Sequence, residues 1–252
     1  MERTWRLIRD EGGDAAWNMA VDEAILEAVL SGEQPPTVRF YRWLKPAVSV
    51  GRFQNTEKAL NLPLCRQRGI SVVRRLTGGK AVLHGHDLTV CIAAPLSCFA
   101  PARTVIDVHL RIVQALAQGF RLLGIGTQPV GHANVRTLRG SHANCFDHAL
   151  PGDLTDASGI KLLGGAQYRR AGAVMEQVSI PFQKLPDVLR DSLQPWTEPP
   201  ASPLLGSDED RLVACLVEGL VQGLGVSGEW TTLSDTEVVR ARQLEQGYEG
   251  TV

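Results

Sequence analysis

The residues with the clearest chemical potential are a cysteine and a lysine in the second half of the chain. Cys145 lies in the polar stretch Asn144-Cys145-Phe146-Asp147, and Lys161 follows in a glycine-rich stretch. A cysteine thiolate is a nucleophile, and a neighbouring cation favours the thiolate form. An ammonium group also stabilises the negative oxygen that forms when an acyl group is transferred. The pair therefore suits acyl transfer through a covalent intermediate, provided that the fold brings the two side chains together.

The other cysteines indicate neither a metal site nor a disulfide framework. They are Cys65, Cys91, Cys98 and Cys215, and no C-x-x-C pair occurs in the chain. Cys91 falls in an apolar strand-like run and Cys215 in an apolar helix-like run, where a cysteine usually acts as a small buried hydrophobic residue. We therefore expect no bound metal, and the odd number of widely spaced cysteines favours a reducing cytoplasm.

The segment 74–84 combines four basic side chains with two adjacent glycines. Its candidate binding residues are Arg74, Arg75, Thr77, Gly78, Gly79, Lys80 and His84. A pair of glycines alone usually marks a hairpin turn, but a plain hairpin does not need four basic side chains. Glycine permits a positive φ and lets backbone amides approach an anion or a carbonyl group closely. Because arginine adds a fixed positive charge, the segment predicts a binding turn.

The periodicity of apolar residues predicts the elements that position these residues. Helices are expected over residues 14–30 and 103–123, from Ser207 to Leu224, and after the capping box Ser234-Asp235-Thr236-Glu237. Strand-like runs lie at residues 38–41, 48–50, 71–75, 81–84, 88–93, 160–167 and 174–181. Strands that follow one another so closely favour antiparallel pairing. We expect an α+β fold with a mixed, mostly antiparallel sheet flanked by helices, and a long polar loop over residues 131–158.

The bulk composition is that of an ordinary globular protein. The chain has 252 residues, 44% of them hydrophobic and 21% charged, with a formal net charge of −1. No basic block indicates a nucleic-acid partner, no signal peptide opens the chain, and no run reaches the ~20 apolar residues that span a membrane. A proline-rich stretch at 195–203 suggests a division into a catalytic domain, residues 1–195, and a small helical segment, residues 196–252, packed on it.

The pattern R-R-x-T-G-G-x-A-V-x-H at 74–84 resembles the signature of the lipoate–protein ligase and octanoyltransferase family, which shares its fold with biotin–protein ligases. Residues 13–26 resemble that family's first helix, and residues 38–54 resemble the strands that follow it. The stretch 159–167 resembles its G-x-K-x-x-G-x-A-Q segment, which bears the family's lysine. These four matches occur in the family's order and together span roughly residues 13–182.

The pair Cys145-Phe146 before Lys161 is similar to the cysteine-dependent octanoyltransferase branch of this family. The resemblance implies transfer of an octanoyl group from acyl carrier protein to a lysine of a lipoyl domain, such as a glycine-cleavage H-type protein, with no cofactor. Cys145 would carry the acyl group as a thioester, and Lys161 with the amides near Gly78 and Gly79 would stabilise the oxyanion. Gly164, Ala166 and Gln167 are the further substrate-binding residues that the resemblance implies.

Other interpretations of the same residues stay open at this stage. The chain departs from the family at 151–153, where Pro-Gly-Asp stands in place of a Tyr/Glu-like pair, and at Lys80, a position that is often Gly or Arg. An ATP-dependent lipoate–protein ligase, using Mg²⁺, and a non-catalytic protein that holds lipoate or an acyl chain are the alternatives. His86, His142 and His148 are candidate bases, although a loop histidine is more often a solvated side chain.

Overall fold

Residues 4–130 and 144–249 are described by a computed structural model of the chain. The strands are β1 (Thr4–Arg9), β2 (Thr37–Tyr41), β3 (Ala47–Val50), β4 (Ser71–Arg74), β5 (Val82–His84), β6 (Asp87–Pro95), β7 (Gln128–Pro129), β8 (Leu154–Thr155), β9 (Gly164–Arg170), β10 (Ala173–Pro181) and β11 (Ser227–Thr231). The α-helices are α1 (Ala15–Ser31), α2 (Thr56–Ala59), α3 (Leu62–Gln67), α4 (Val105–Leu122), α5 (Glu209–Leu224) and α6 (Asp235–Tyr248).

The main sheet has six strands in the order β11-β1-β2-β6-β10-β9. β1 is parallel to both β2 and β11, whereas the pairs β2–β6, β6–β10 and β10–β9 are antiparallel. A second sheet has the order β4-β3-β5, in which β3 is parallel to β4 and antiparallel to β5. The predicted α+β class and the mixed, mostly antiparallel sheet are thus confirmed.

Both faces of the main sheet are buried. Along β6, Val90 and Ile92 point into a cluster that includes the apolar faces of α4 and α5, whereas Cys91 and Ala93 point into a cluster formed with α1 and α6. This alternation follows from the two-residue period of a strand. A helix layer therefore covers each face.

The caps of the helices agree with the sequence at all but one position. Asp14 accepts a hydrogen bond from the amide of Trp17 at the start of α1, and Gly32 ends the helix with a φ of 77°. Ser234 and Glu237 form the predicted capping box of α6. The cap of α5 is Asp208 and not Ser207, because the Asp208 carboxylate accepts from the amide of Arg211.

The last part of the chain supplies a strand as well as helices. β11 pairs in parallel with β1 at the edge of the main sheet, and neither strand was predicted. Arg6 on β1 donates to both carboxylate oxygens of Glu237 at the start of α6. The division of the chain at residue 195 stays a prediction.

Candidate active site

Cys145 and Lys161 lie next to each other. The Cys145 Sγ is 3.6 Å from the Lys161 Nζ, which also donates to the Cys145 carbonyl at 3.1 Å. The amide of Cys145 donates to the carbonyl of Ala81 at 2.9 Å, which ties the cysteine to the start of β5. The fold thus places a nucleophile and a cation within contact distance, as acyl-transfer chemistry requires.

The charge of Lys161 is held by a carboxylate. The Lys161 Nζ lies 2.7 Å from the Asp153 Oδ2, and both side chains are buried. Burial by itself lowers the pKa of a lysine, but the charges of the Cys145 thiolate and of Asp153 outweigh it, so the pKa of Lys161 is raised above its ordinary value. Lys161 is therefore a permanent ammonium group at neutral pH.

The Cys145 thiol lies against Gly164, the first residue of β9, which has no side chain. A Cβ at Gly164 would lie 3.0 Å from the Cys145 Sγ and 3.3 Å from two ring atoms of Phe146. A Cβ at this position would therefore press on the thiol and the ring, which would have to shift by a few tenths of an ångström. Glycine at 164 leaves both side chains in place.

The thiol opens into a narrow pocket that encloses about 400 Å³ of space, part of it open to solvent. We call it the inner pocket, and it is lined by Met19, Tyr41, Trp43, Ser49, Arg75, Gly79, Val82, His84, Thr89, Cys145, Gly164, Gly165, Ala166, Gln177, Val178 and Ser179. Its exposed lining is mainly apolar. A pocket of this kind accepts an apolar chain and leaves the few polar groups to orient its head.

The predicted glycine turn forms one wall of the inner pocket. Gly79 has a φ of 87°, a conformation that residues with a side chain rarely adopt. Arg75 fixes the turn, because its Nη2 donates to the carbonyls of Gly78 and Lys80, each at 2.7 Å. Within the described residues, the amides of Gly78 and Gly79 donate no hydrogen bond to a protein acceptor.

Arg75 brings a second positive charge to the pocket. Its Nη1 donates to the carbonyl and the hydroxyl of Ser49, both at 3.0 Å. Burial lowers the pKa of Arg75 to about 10, and the nearby Cys145 thiolate opposes that change. The guanidinium therefore keeps its charge at neutral pH and places a second cation near the Cys145 thiol.

A chain of buried hydrogen bonds connects the turn to the main sheet and to α1. The Thr77 hydroxyl donates to Gln177 on β10 at 2.7 Å, and Gln177 donates to the Asp22 carboxylate at 2.6 Å. Asp22 also accepts from Arg39 at 2.8 Å and from the Tyr41 hydroxyl at 2.8 Å. The first helix thereby sets the position of the turn.

His84 is held rigidly in the wall of the inner pocket. Its Nδ1 lies 2.8 Å from the Asp87 carboxylate and its Nε2 lies 2.8 Å from the Ser49 hydroxyl. Its ring also stacks on Trp43, with 3.8 Å between the centroids. Because both ring nitrogens are engaged, His84 shapes the pocket and holds Ser49, which in turn holds Arg75.

Several predicted binding residues lie behind the inner pocket. The Arg74 guanidinium donates to three carbonyls in the segment 51–54 and to the Thr56 hydroxyl, so it holds that loop. Gln167 donates to Glu176 at 2.8 Å and lines a separate hollow beside His109. Neither residue lines the inner pocket.

The remaining predicted residues divide in the same way. Gly79, His84, Gly164 and Ala166 line the inner pocket, whereas Gly78, Thr77 and Lys80 support it from behind or from the turn. The Lys80 carbonyl accepts from Arg75. Of the candidate bases, His142 lies outside the described residues.

Asp153 is the main functional residue that the sequence did not reveal. It belongs to the Pro-Gly-Asp segment, which stands out in the sequence only as a departure from the expected pattern. A lone aspartate in a polar loop gives no signal that it meets a lysine farther along the chain.

The described residues contain no cluster for a metal ion and no spanning helix. Within residues 4–130 and 144–249, no three side chains of His, Cys, Asp or Glu are arranged to hold a metal. In the same ranges, no helix has both the length and the apolar character needed to cross a membrane.

Comparisons with known proteins identify relatives of the chain. The octanoyltransferase LipM of an Exiguobacterium species is 40% identical over 192 residues, covering 75% of this chain and 69% of that protein. The octanoyltransferase LipM of Kyrpidia tusciae is 34% identical over 265 residues, covering 98% of this chain and 96% of its own.

Solved structures share the fold. A bi-partite lipoate protein ligase from Thermoplasma acidophilum superimposes with a TM-score of 0.76 at 23% identity, covering 98% of this chain and 92% of that one. A family model described as the lipoyl protein ligase A/B catalytic domain matches residues 14–220. The chain belongs to this family, as the turn at 74–84 and the lysine at 161 had suggested.

Proposed function

We propose that the protein is an octanoyltransferase of protein lipoylation that works through a thioester on Cys145. An octanoyltransferase role follows from its identity to the two LipM proteins over most of the chain. The observation that supports the covalent route is the 3.6 Å contact between the Cys145 Sγ and the Lys161 Nζ beside an apolar pocket. The acceptor is a lipoyl domain, and the donor that we propose is octanoyl-acyl carrier protein.

The first half-reaction loads the enzyme. The Cys145 thiolate attacks the thioester carbonyl of the donor, the new C–S bond forms, and the thiol arm of the donor leaves with the electron pair of the old C–S bond. Lys161 and the amides of Gly78 and Gly79 stabilise the oxygen that becomes negative. Because the donor is already a thioester, the step needs no ATP and no metal.

The second half-reaction unloads the enzyme. The neutral amine of the acceptor lysine attacks the Cys145 thioester, the amide forms, and the Cys145 thiolate is released. The Lys161 ammonium is close enough to stabilise that thiolate as a leaving group. A covalent intermediate allows two partner proteins to use one site in turn.

The lining of the inner pocket suits an acyl group whose far end is uncharged. Val82, Val178 and Met19 contribute apolar surface, and Arg75 and Gly79 line the same pocket as Cys145. A saturated chain would lie along the apolar part with its carbonyl at the thiol. Specific carrier proteins, a glycine-cleavage H-type acceptor and a cytoplasmic location stay predictions.

A transfer assay separates this function from its alternatives. The purified chain is mixed with octanoyl-acyl carrier protein and an apo lipoyl domain without ATP, and the mass of the acceptor is followed. We expect octanoylation of the acceptor, and its loss in Cys145→Ala. Cys215→Ala is the matched control, because Cys215 is half-buried on α5 and lines none of the cavities at the site.

Two results would redirect the proposal. Strict dependence on lipoate, ATP and Mg²⁺ with a working Cys145→Ala variant would identify a ligase. Binding of octanoate or lipoate without transfer from either donor would identify a non-catalytic binding protein.

A further inference from the structure

A second and larger cavity, the outer cleft, adjoins the Cys145–Lys161 pair. It encloses about 1140 Å³, including space open to solvent. Its lining comes from His86, Asn144, Phe146, Lys161 and the segments 181–190 and 198–205. Asn144 and Phe146 flank Cys145 in the chain, and Cys145 itself lines the inner pocket. The nucleophile therefore stands between a narrow apolar pocket and a wide polar-rimmed cleft.

His86 is an unpartnered histidine in the wall of the outer cleft. The residue is only 7% exposed, and its Nδ1 is buried without a hydrogen-bond partner among the described residues. Leaving a buried polar atom unpaired costs roughly 1–3 kcal/mol, so such an atom calls for an explanation. That Nδ1 is closed to the cleft, so a ligand in the cleft can meet the imidazole only at its other ring nitrogen, Nε2.

The second half-reaction needs a proton acceptor that Lys161 cannot supply. A lysine amine has an ordinary pKa of about 10.4, so it arrives at the enzyme largely protonated. Lys161 already carries its proton, because the Asp153 carboxylate 2.7 Å away and the Cys145 thiolate hold it as an ammonium ion. Another group must take the proton of the acceptor amine.

The other described histidines are already engaged. His84 is held through both nitrogens by Asp87 and Ser49. His109 is bound to the Glu176 carboxylate at 2.6 Å, and His148 has an interaction of its own. Burial lowers the pKa of His86, with Asp87 opposing and His84 and Arg42 reinforcing that change. His86 is therefore a neutral imidazole at neutral pH.

We propose that the outer cleft admits the side chain of the acceptor lysine and that His86 is the general base that takes its proton. The inference rests on the proposed function, since it concerns the step that empties the Cys145 thioester. The acceptor ammonium first loses one proton to water. The neutral amine nitrogen then forms a bond to the acyl carbon, its second proton passes to the Nε2 of His86, and the C–S bond breaks with its electron pair on the Cys145 Sγ. The imidazolium ion then releases the proton to water.

The two half-reactions measured separately provide the test. The octanoyl-enzyme is prepared from octanoyl-acyl carrier protein and freed of donor, an apo lipoyl domain is added, and the loss of the adduct is followed by intact mass. Positioned general bases contribute roughly 10²–10⁴-fold to a rate. We expect His86→Gln to acquire the adduct as fast as the wild type within about twofold, and to pass it to the acceptor ~100-fold more slowly.

Two further variants test whether the effect on discharge is specific to the His86 imidazole. Lys45→Gln is the control, because Lys45 is exposed and lines none of the cavities near the site, and it should discharge normally at saturating acceptor. His86→Ala leaves room for a small base, so added imidazole should restore part of its discharge rate. A normal loading rate in either His86 variant shows that the variant is folded.

The outcomes distinguish this inference from the proposed function. If His86→Gln discharges to the lipoyl domain at the wild-type rate, or loses loading and discharge equally, His86 is not the base for the acceptor. If imidazole fails to accelerate His86→Ala, the same conclusion holds. If the wild-type chain never acquires an octanoyl adduct, the covalent function itself fails.

Discussion

At the scale of single residues, the site depends on the triplet Cys145, Lys161 and Asp153. The Cys145 Sγ lies 3.6 Å from the Lys161 Nζ, and the Lys161 Nζ lies 2.7 Å from the Asp153 Oδ2. The resemblance to the lipoate–protein ligase and octanoyltransferase family predicted the first two residues as a pair. The third was beyond reach because its partner is chosen by the path of a loop, and polar loops carry no periodic pattern that fixes such a path.

Asp153→Asn should weaken the site by releasing Lys161. The pKa of Lys161 is raised, so its ammonium persists as the pH rises until that elevated pKa is passed. Without the carboxylate, the pKa falls, and octanoyl loading should decline at a lower pH than in the wild type. A buried charge left without its partner costs about 3–5 kcal/mol. The pH profile of loading and the free energy of unfolding test this.

The control for that experiment is Asp156→Asn in the same loop. Asp156 accepts from the amides of Ser158 and Ile160 through one oxygen, and an asparagine oxygen can replace it. If octanoyl loading declined at the same alkaline pH in Asp153→Asn as in the wild type, the role given to Asp153 would be contradicted.

Gly164→Ala should slow loading through steric displacement. The added Cβ would lie 3.0 Å from the Cys145 Sγ, so the thiol has to move by a few tenths of an ångström. Since rates depend on the precise placement of a reacting group, we expect loading to slow by a few-fold, well below the roughly 10²-fold cost of a ~1 Å misplacement. Gly126→Ala is the control, because nothing lies within 4 Å of a Cβ at Gly126 and its φ is not positive. Unchanged single-turnover loading of Gly164→Ala would show that the thiol does not need this space.

At the scale of elements, helical periodicity predicted α1 and α4 closely and the capping box located the start of α6, but two strands were missed for different reasons. In β1 four successive residues are buried, so the strand lacks an alternating pattern, and it includes the charged Arg6. β11 is largely exposed and contains Gly228, so it lacks an apolar face. Both are strands because each meets the other at the edge of the sheet, which only the tertiary fold determines.

Thr77→Val tests the link between the glycine turn and the sheet. The substitution keeps the shape but removes the hydroxyl that donates to Gln177 at 2.7 Å, which leaves a buried amide oxygen unpaired at a cost of roughly 1–3 kcal/mol. We expect reduced stability together with several-fold slower loading, because the turn supplies the oxyanion amides.

Thr37→Val is the matched comparison for the turn. Thr37 is also buried, and its hydroxyl accepts from Arg6 and donates to the Pro35 carbonyl, away from the inner pocket. It should lower the free energy of unfolding without slowing loading. The same loss of loading in both variants would mean that the turn has no special role.

At the scale of the whole molecule, the two ends of the described chain are joined. β11 pairs with β1, and Arg6 on β1 forms a buried ion pair with Glu237 of α6. Composition and motifs located the catalytic segments between residues 13 and 182, but they gave no sign of this closure, because the partners are separated by most of the chain.

Glu237→Ala should destabilise the entire fold. The loss of the capping box costs about 1 kcal/mol of stability. The substitution also leaves the buried Arg6 without its ionic partner, which costs about 3–5 kcal/mol. Burial raises the pKa of Glu237, but the hydrogen bonds from Arg6 and from the Ser234 amide outweigh it and hold the pKa below its ordinary 4.5. The stabilisation is therefore present above pH 4.5 and is lost as the pH falls through the folded pKa.

Chemical denaturation at neutral and acidic pH checks this expectation. The gap between the wild type and Glu237→Ala should narrow in acid. Glu198→Gln, which breaks an exposed pair with Arg190, should change the free energy of unfolding by less than about 1 kcal/mol. A constant gap across the pH range would contradict the ionic role of Glu237.

The most direct test of the covalent account is the intact mass of the chain after incubation with octanoyl-acyl carrier protein alone, followed by peptide mapping of any adduct. The account predicts one octanoyl group on Cys145, sensitive to hydroxylamine as a thioester is, absent from Cys145→Ala and strongly reduced in Lys161→Met. An acceptor that becomes octanoylated while the enzyme never carries an adduct, or an adduct that maps to another cysteine, would contradict it.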